Sequence, residues 1–194
     1  VQANPDKAEM IIPTPSVLPL TSGLQQKLAR KTVFGFVGGP GETKGWGLVR
    51  KFMQRAQDMA DWPDGPHVVL FDIGRSANAP WYPGMERPGT TIADPFHWSF
   101  AGHAMGQLDV MLMPSRVRES FGLAAREILS LGKACVIRPS GALAEIRDCQ
   151  GVVVASDEDD VDSLLAKLEH CRDPASSPWP MTSIADYTKK LMSF

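Results

Sequence analysis

Nowhere does the sequence run to the roughly 18–20 uninterrupted apolar residues that a membrane-crossing helix needs. Its first residues also lack the charged, apolar and small-residue order of a secretory signal. No direct membrane span is therefore expected. Cysteine is scarce: Cys135, Cys149 and Cys171 form an odd, widely spaced set, with neither metal-site spacing nor the density of a disulfide scaffold. That usage fits a reducing cytoplasm, with any membrane association carried by another domain. Charge of one sign is lacking too, since 20 Lys and Arg stand against 22 Asp and Glu for a net charge of -2. Such a balance gives no overall attraction to nucleic acid or an anionic membrane, although a local basic cluster can still bind phosphate. Internal repeats and low-complexity tracts are absent. What remains is a chain of 194 residues, 43% hydrophobic and 22% charged, long enough to bury the core of one compact domain.

Residues 1–32 carry Pro5, Pro13, Pro15 and Pro19 and one short apolar run, Met10 to Ile12, and read as an arm or linker. Over 33–172 apolar runs alternate with helical patterns. Strands are expected at Thr32 to Val37, His67 to Ile73, Asp109 to Met113, Ala134 to Ile137 and Gly151 to Ala155, with a short one at Thr90 to Ala93. Helices are expected at Gly45 to Met59, Gly122 to Leu131, Ala142 to Asp148 and Val161 to Cys171; in the first, Leu48, Val49, Phe52, Met53 and Ala56 recur at spacings of three and four. Arg75 to Pro95, with four prolines, is expected to be mostly loop. Strands alternating with helices of about ten residues indicate βαβ units, so the fold class is α/β, a Rossmann-like doubly wound parallel sheet. Residues 173–194 read as a proline and serine linker followed by a helix bearing Ile184, Tyr187, Leu191 and Phe194 on one face.

The most informative segment is Pro114-Ser115-Arg116-Val117-Arg118-Glu119-Ser120-Phe121-Gly122-Leu123-Ala124-Ala125-Arg126-Glu127. It leaves a strand and opens a helix, at the carboxyl edge of the sheet where ligands of such folds bind. Backbone N–H groups around Ser120, Phe121, Gly122 and Leu123 would face an anion, favoured by the helix dipole, and Gly122 would allow close approach. Glu127 can accept hydrogen bonds from two vicinal ribose hydroxyls, and Glu119 can face a sugar hydroxyl. The plainer reading of both is as helix-favouring surface glutamates, and spacing alone does not decide between the two.

Glu119 and Glu127, eight positions apart with Ser-Phe-Gly-Leu between them and Pro-Ser before, resemble the signature of retaining glycosyltransferases of the GT-B kind that use sugar nucleotides. Phe36-Val37-Gly38-Gly39-Pro40-Gly41-Glu42-Thr43-Lys44-Gly45 resembles that group's first strand and phosphate loop, and Lys44 and Gly45 match its Lys-Gly pair. Leu108-Asp109-Val110 and Ser140-Gly141-Ala142-Leu143-Ala144-Glu145-Ile146 are similar to two further segments, in the same order, over about Val33 to Cys171. The resemblance implies the carboxyl-terminal, donor-binding half of such an enzyme. In it Gly38, Gly39, Lys44 and the Ser120 to Leu123 turn would hold the diphosphate, Glu119 the donor sugar and Glu127 the ribose. The nucleoside-diphosphate sugar would be a substrate, with no separate cofactor and no metal. Lys44 and the helix N-terminus would stabilise charge on the departing diphosphate, and the two glutamates would not be the acid and base of a glycoside hydrolase.

The amino-terminal acceptor half would be missing, either excised or a separate chain; the non-methionine start and Met10-Ile11-Ile12-Pro13, similar to an interdomain crossover, favour excision. Alone, the chain is expected to bind donor and to transfer little or no sugar, and residues 184–194 would dock on the absent half.

One departure stands out: Gly39 occupies the place of the group's phosphate arginine. Arg116 or Arg118, beside Glu119, would compensate if either reaches the diphosphate; their plainer role is as solvated surface arginines. The Gly38 to Gly45 loop is neither a Walker loop nor a dinucleotide fingerprint, because Thr43, Lys44 and Gly45 break both spacings. Asp157-Glu158-Asp159-Asp160 reads as a helix cap in preference to a metal site. His97 and His103, near Trp98 and Phe100, lack zinc spacing and read as structural or loop residues. Asp72 and Gly74-Arg75 are weak candidates for ribose and base contacts. Two rivals remain: a non-catalytic, degenerate binding module that has lost the donor with its arginine, and a sugar-nucleotide epimerase, whose catalytic carboxylates and histidine have no evident site here.

Overall fold

The computed structural model describes residues 31–72, 82–93 and 101–171, the side chains of 101–103 excepted. The arm before Lys31, Gly74-Arg75, His97, Trp98, Phe100, the His103 side chain, the linker from Asp173 and the helix expected at 184–194 lie outside the described residues.

Within them, six parallel strands make one sheet: β1 (Thr32–Val37), β2 (Pro66–Phe71), β3 (Thr90–Ala93), β4 (Val110–Met113), β5 (Ala134–Ile137) and β6 (Val152–Val154), in the order β3-β2-β1-β4-β5-β6. The helices between them are α1 (Trp46–Asp58), α2 (Ala101–Gly106), α3 (Leu123–Ser130) and α4 (Val161–Cys171), with short 3-10 turns at Glu42–Lys44 and Ala142–Ile146.

Both faces of the sheet are covered, which is why β2 is buried at every position and β5 is an unbroken apolar run. Phe34, Phe36, Leu70, Leu112 and Val136 pack with α1 and α4 residues such as Phe52 and Leu164 on one face. Val33, Val69, Met111 and Ile137 meet Met105, Ile128 and Leu143 on the other. Each fully buried Phe, Leu, Ile or Val contributes roughly 1.5–3 kcal/mol, so the two layers hold the sheet from both sides. Gly35 in β1 is there for space: a Cβ would sit 2.2 Å from Leu108 Cδ1. Asp109 ties β4 to β1, its Oδ2 accepting from Val33 N at 2.8 Å.

Element boundaries mostly follow the sequence pattern. The expected helix at Ala142 to Asp148 is a five-residue 3-10 turn, and α2 was not foreseen, because Ala101–Gly106 is short and carries two glycines. The acidic run before α4 divides. Asp160 is the cap, accepting from Ser163 N at 2.7 Å, whereas Asp157 turns away to two arginines.

The strand order reverses between β1 and β4. The chain leaves β1 toward β2 on one side and returns through β4 on the other, so the loops after these two strands diverge and open a crevice at the carboxyl edge.

Candidate functional site at the carboxyl edge of the sheet

The loop after β1 and the loop after β4 are stitched together by backbone. Arg116 N donates to Thr43 O at 2.8 Å, and Gly45, at φ +73°, lies so close to Pro114 that a Cβ would stand 2.0 Å from its carbonyl oxygen. Only glycine satisfies both the left-handed conformation and the contact. The β5 loop joins in the same way: Ala142 N donates to Glu119 O at 2.8 Å, and a Cβ on Gly141 would stand 2.4 Å from that oxygen. Three loops thus fix the backbone of Glu119.

The result is a cavity of about 250 Å³ between the ends of β1 and β4, with Phe36, Val37 and Met113 as its floor and Lys44, Glu119 and the Ser120 to Ala124 segment around it. Lys44 Nζ lies 2.7 Å from Glu119 Oε1 across a sequence separation of 75 residues. Burial opposes ionisation of Glu119, but hydrogen bonds from Lys44 and Ser115, with the Lys44 charge, outweigh it and hold the carboxyl below its ordinary pKa. Glu119 is therefore an anion at neutral pH, and beyond the Lys44 and Ser115 bonds its carboxylate keeps lone pairs for a further donor. Lys44 spends one of three N–H donors on it and keeps two.

The turn into α3 faces this cavity. Gly122, at φ +68°, precedes the helix and no side chain caps it, so the first-turn N–H groups have no side-chain acceptor. The space at Gly122 is taken by the protein itself, since a Cβ would meet Leu143 Cδ2 at 2.5 Å; this glycine is demanded by packing and φ before any ligand is considered. Phe121 is pinned from behind by Arg126, whose Nε donates to Phe121 O at 3.1 Å and whose guanidinium lies 4.8 Å from the ring centroid. Glu127 stands one helical turn beyond Leu123 and Ala124, on the face that lines the cavity, and does not itself line it. It is exposed overall, yet partial desolvation by its surroundings raises its carboxyl above the ordinary value.

Gly38 and Gly39 continue from β1, and Gly38 O accepts the hydroxyl hydrogen of Tyr82. Tyr82 is fully buried and stacks on Trp46 at 5.6 Å; burial, then the nearby Asp72 charge, raises its hydroxyl pKa, so it remains a neutral donor. Asp72 is buried and accepts from Tyr82 N at 3.4 Å, so it braces this loop. Tyr82 lies in the stretch that the sequence marks as loop, and only its aromatic character among prolines and glycines signalled it.

Neither Arg116 nor Arg118 lines the Lys44 cavity. Arg118 is exposed. Arg116 projects into a neighbouring cavity, where it pairs with Asp157 at 2.7 Å alongside Arg138. Arg138 was not singled out in the sequence, and Ser115 was part of the marked segment without a role of its own; the signal for Arg138 was its place directly after a buried strand, at the same sheet edge as Glu119. Among the described residues no group of three or more His, Cys, Asp or Glu is disposed to hold a metal ion, and no helix is long and apolar enough to cross a membrane.

No protein-family model and no curated protein sequence matches this chain. Among solved structures it is similar to HepE of Anabaena in complex with UDP-glucose, at 16% identity and a TM-score of 0.56, over 89% of this chain and 47% of that one. It is also similar to the catalytic domain of starch synthase IV from Arabidopsis thaliana bound to ADP and acarbose, at 19% identity and a TM-score of 0.55, over 81% of this chain and 34% of that one. The chain thus spans about half of the first structure and a third of the second. At these identities the likeness is one of architecture: the chain has the Rossmann-like α/β fold of one half of a GT-B glycosyltransferase.

Proposed function

We propose that this chain is the donor-binding half of a retaining glycosyltransferase, which moves a hexose-like sugar from a nucleoside diphosphate to an acceptor hydroxyl. The observation that carries the reading is the Lys44–Glu119 pair, held at the β1/β4 crevice beside the uncapped start of α3. The two similar structures were determined with UDP-glucose and with ADP and acarbose, which fits a nucleotide ligand for this fold.

In this reading the diphosphate lies between the two remaining Lys44 donors and the first-turn N–H groups of α3, where dipole and ammonium charge both favour an anion. Transfer breaks the bond from the anomeric carbon to the phosphate oxygen and forms one to the acceptor oxygen. The acceptor proton ends on the departing diphosphate. Charge grows on that diphosphate as the bond breaks, and these fixed donors stabilise it without reorganising. Glu119 orients the sugar through its remaining lone pairs, while Glu127 takes the ribose hydroxyls. The acceptor site belongs largely to a second α/β half, so the chain alone binds donor with little or no turnover.

The second reading, a module that has lost its donor, is favoured by Gly39, which leaves the phosphate loop without an arginine. Calorimetric titration with UDP, GDP and ADP separates the two. The donor reading expects one diphosphate to bind, about tenfold more weakly to Lys44→Ala and to Glu127→Ala, as loss of a charge-assisted hydrogen bond dictates. Binding of none supports the degenerate module.

A further inference from the structure

Beside the Lys44 cavity lies a second one of about 380 Å³, past the carboxyl ends of β4, β5 and β6, and Ser115 lines both. Its defining feature is the charge of its lining, two arginines against one aspartate. Asp157 Oδ1 accepts from Arg116 Nη2 at 2.7 Å and also from Arg138 Nη2, so two guanidiniums share a single carboxylate oxygen. Lys51 adds a third positive charge acting on Asp157. Of the acids just beyond the lining, Asp159 is held by Ser156 and Lys167, Asp160 caps α4 and Glu158 is exposed.

Arg138 is the better buried of the two arginines, with its side chain 16% exposed, and its Nε is buried with no hydrogen-bond partner among the described residues. A guanidinium taken out of water is costly unless its donors are met, and here one is not.

We propose that this cavity is a second oxyanion subsite, distinct from the Lys44–Glu119 pocket, which takes a phosphate group. Arg116, Arg138 and Ser140 line it, and the two guanidinium forks together offer more donors than the two oxygens of one carboxylate can meet, whereas a phosphate has oxygens enough to engage both. Asp157 holds the arginines in register and yields its hydrogen bonds as the phosphate enters. Assigning that phosphate to the sugar acceptor rests on the donor-binding reading, since the two cavities meet at Ser115; phosphate binding as such does not.

The test is titration of the full chain with inorganic phosphate and, separately, with acetate, following the arginine Nε–Hε resonances and the thermal midpoint. Phosphate is expected to shift the Arg138 resonance and raise the midpoint, and acetate at equal concentration to do neither. Asp157→Asn removes the competing charge with its shape kept, and should tighten phosphate about tenfold; Arg138→Gln, and Arg116→Gln at an exposed position away from the core, should each weaken it about tenfold. Lys44→Ala should leave the phosphate-induced shift of the Arg138 resonance unchanged, whatever phosphate the Lys44 cavity itself takes. Loss of phosphate binding in Lys44→Ala with none in Arg116→Gln would overturn the proposal, as would acetate binding as tightly as phosphate. Titration with nucleoside diphosphates reads the donor proposal separately, so either can fail alone.

Discussion

The two cavities at the carboxyl edge are neighbours built on opposite plans. At the β1/β4 crevice the backbone does the holding: Gly45 rests on Pro114, Gly141 on Glu119, and Tyr82 braces Gly38, while Lys44 and Glu119 balance each other's charge. At the β4/β5/β6 end, side chains do the holding, and two arginines share one exposed aspartate. The first plan fixes atoms in advance, which suits a site that must place a reacting group within fractions of an ångström. The second leaves positive charge to be answered by whatever anion arrives.

The sharpest way to break the comparison is through the backbone. Gly45→Ala puts a Cβ 2.0 Å from the Pro114 carbonyl oxygen at φ +73°, so the loops after β1 and β4 must separate. A loss of about 3 kcal/mol or more in urea unfolding is expected, with nucleotide binding abolished. Gly84→Ala is the control: its φ is +69° and nothing lies within 4 Å of the added Cβ. It should cost only about 1 kcal/mol, the conformational share alone. Equal losses would mean that close approach at Gly45 does not hold the crevice together.

Tyr82→Phe comes next. It removes the hydroxyl from Gly38 O and keeps the stack on Trp46, and a loss of about 1–2 kcal/mol is expected for an orphaned buried acceptor. If Gly38 is positioned from below by this bond, nucleotide affinity should fall with stability, while phosphate binding at the arginine cavity should not change.

How much of this could be read in the sequence depends on the range of the contact. β1, β3, β5 and α4 fall where apolar periodicity put them, because each is decided by its own few residues. α2 escaped, being short, glycine-bearing and held in place by the core. The strand order, which creates the crevice, is set by which layers pack together and leaves no local trace. Within the site, Lys44 and Glu119 were each marked by their surroundings, but their pairing spans 75 residues and needs the fold. Gly45 was read as part of a phosphate loop and Gly122 as allowing a ligand's approach, and their Cβ positions are occupied first by Pro114 and Leu143. Asp157 was hidden inside an acidic run in which Asp159 makes local pairs and Asp160 is the cap; its arginine partners lie 41 and 19 residues away.

Lys44→Met tests the balanced charge of the first crevice. Glu119 has its folded pKa lowered, so its stabilisation is present above the ordinary carboxylate pKa and is lost as pH falls through the lowered value. Without Lys44, burial is left opposed only by the Ser115 hydrogen bond. The pKa should rise, and the acid-side slope of stability should flatten or reverse. Because Lys44 is 44% exposed, the loss at pH 7 is discounted to about 1 kcal/mol. Urea midpoints between roughly pH 2 and 6 check the slope, and an unchanged profile would mean that the pair is only a surface contact.

Glu127→Gln carries the smallest change in stability and bears most directly on purpose. Desolvation raises the Glu127 carboxyl, so the folded protein disfavours its charged form. Any stabilisation linked to its protonation is present below the unfolded pKa and lost as pH rises through the folded one. At neutral pH the carboxylate is thus a mild burden, and neutralising it should stabilise by a few tenths of a kcal/mol, after discounting for its exposure. A group that costs the fold a little and lies one turn from the cavity is explained if a ligand's hydroxyls need its charge. Glu127→Gln should then gain slightly in unfolding midpoint while losing nucleoside-diphosphate affinity. A variant that gains stability and binds as before would make Glu127 an ordinary helix glutamate, and the ribose contact would have to be sought elsewhere on the crevice.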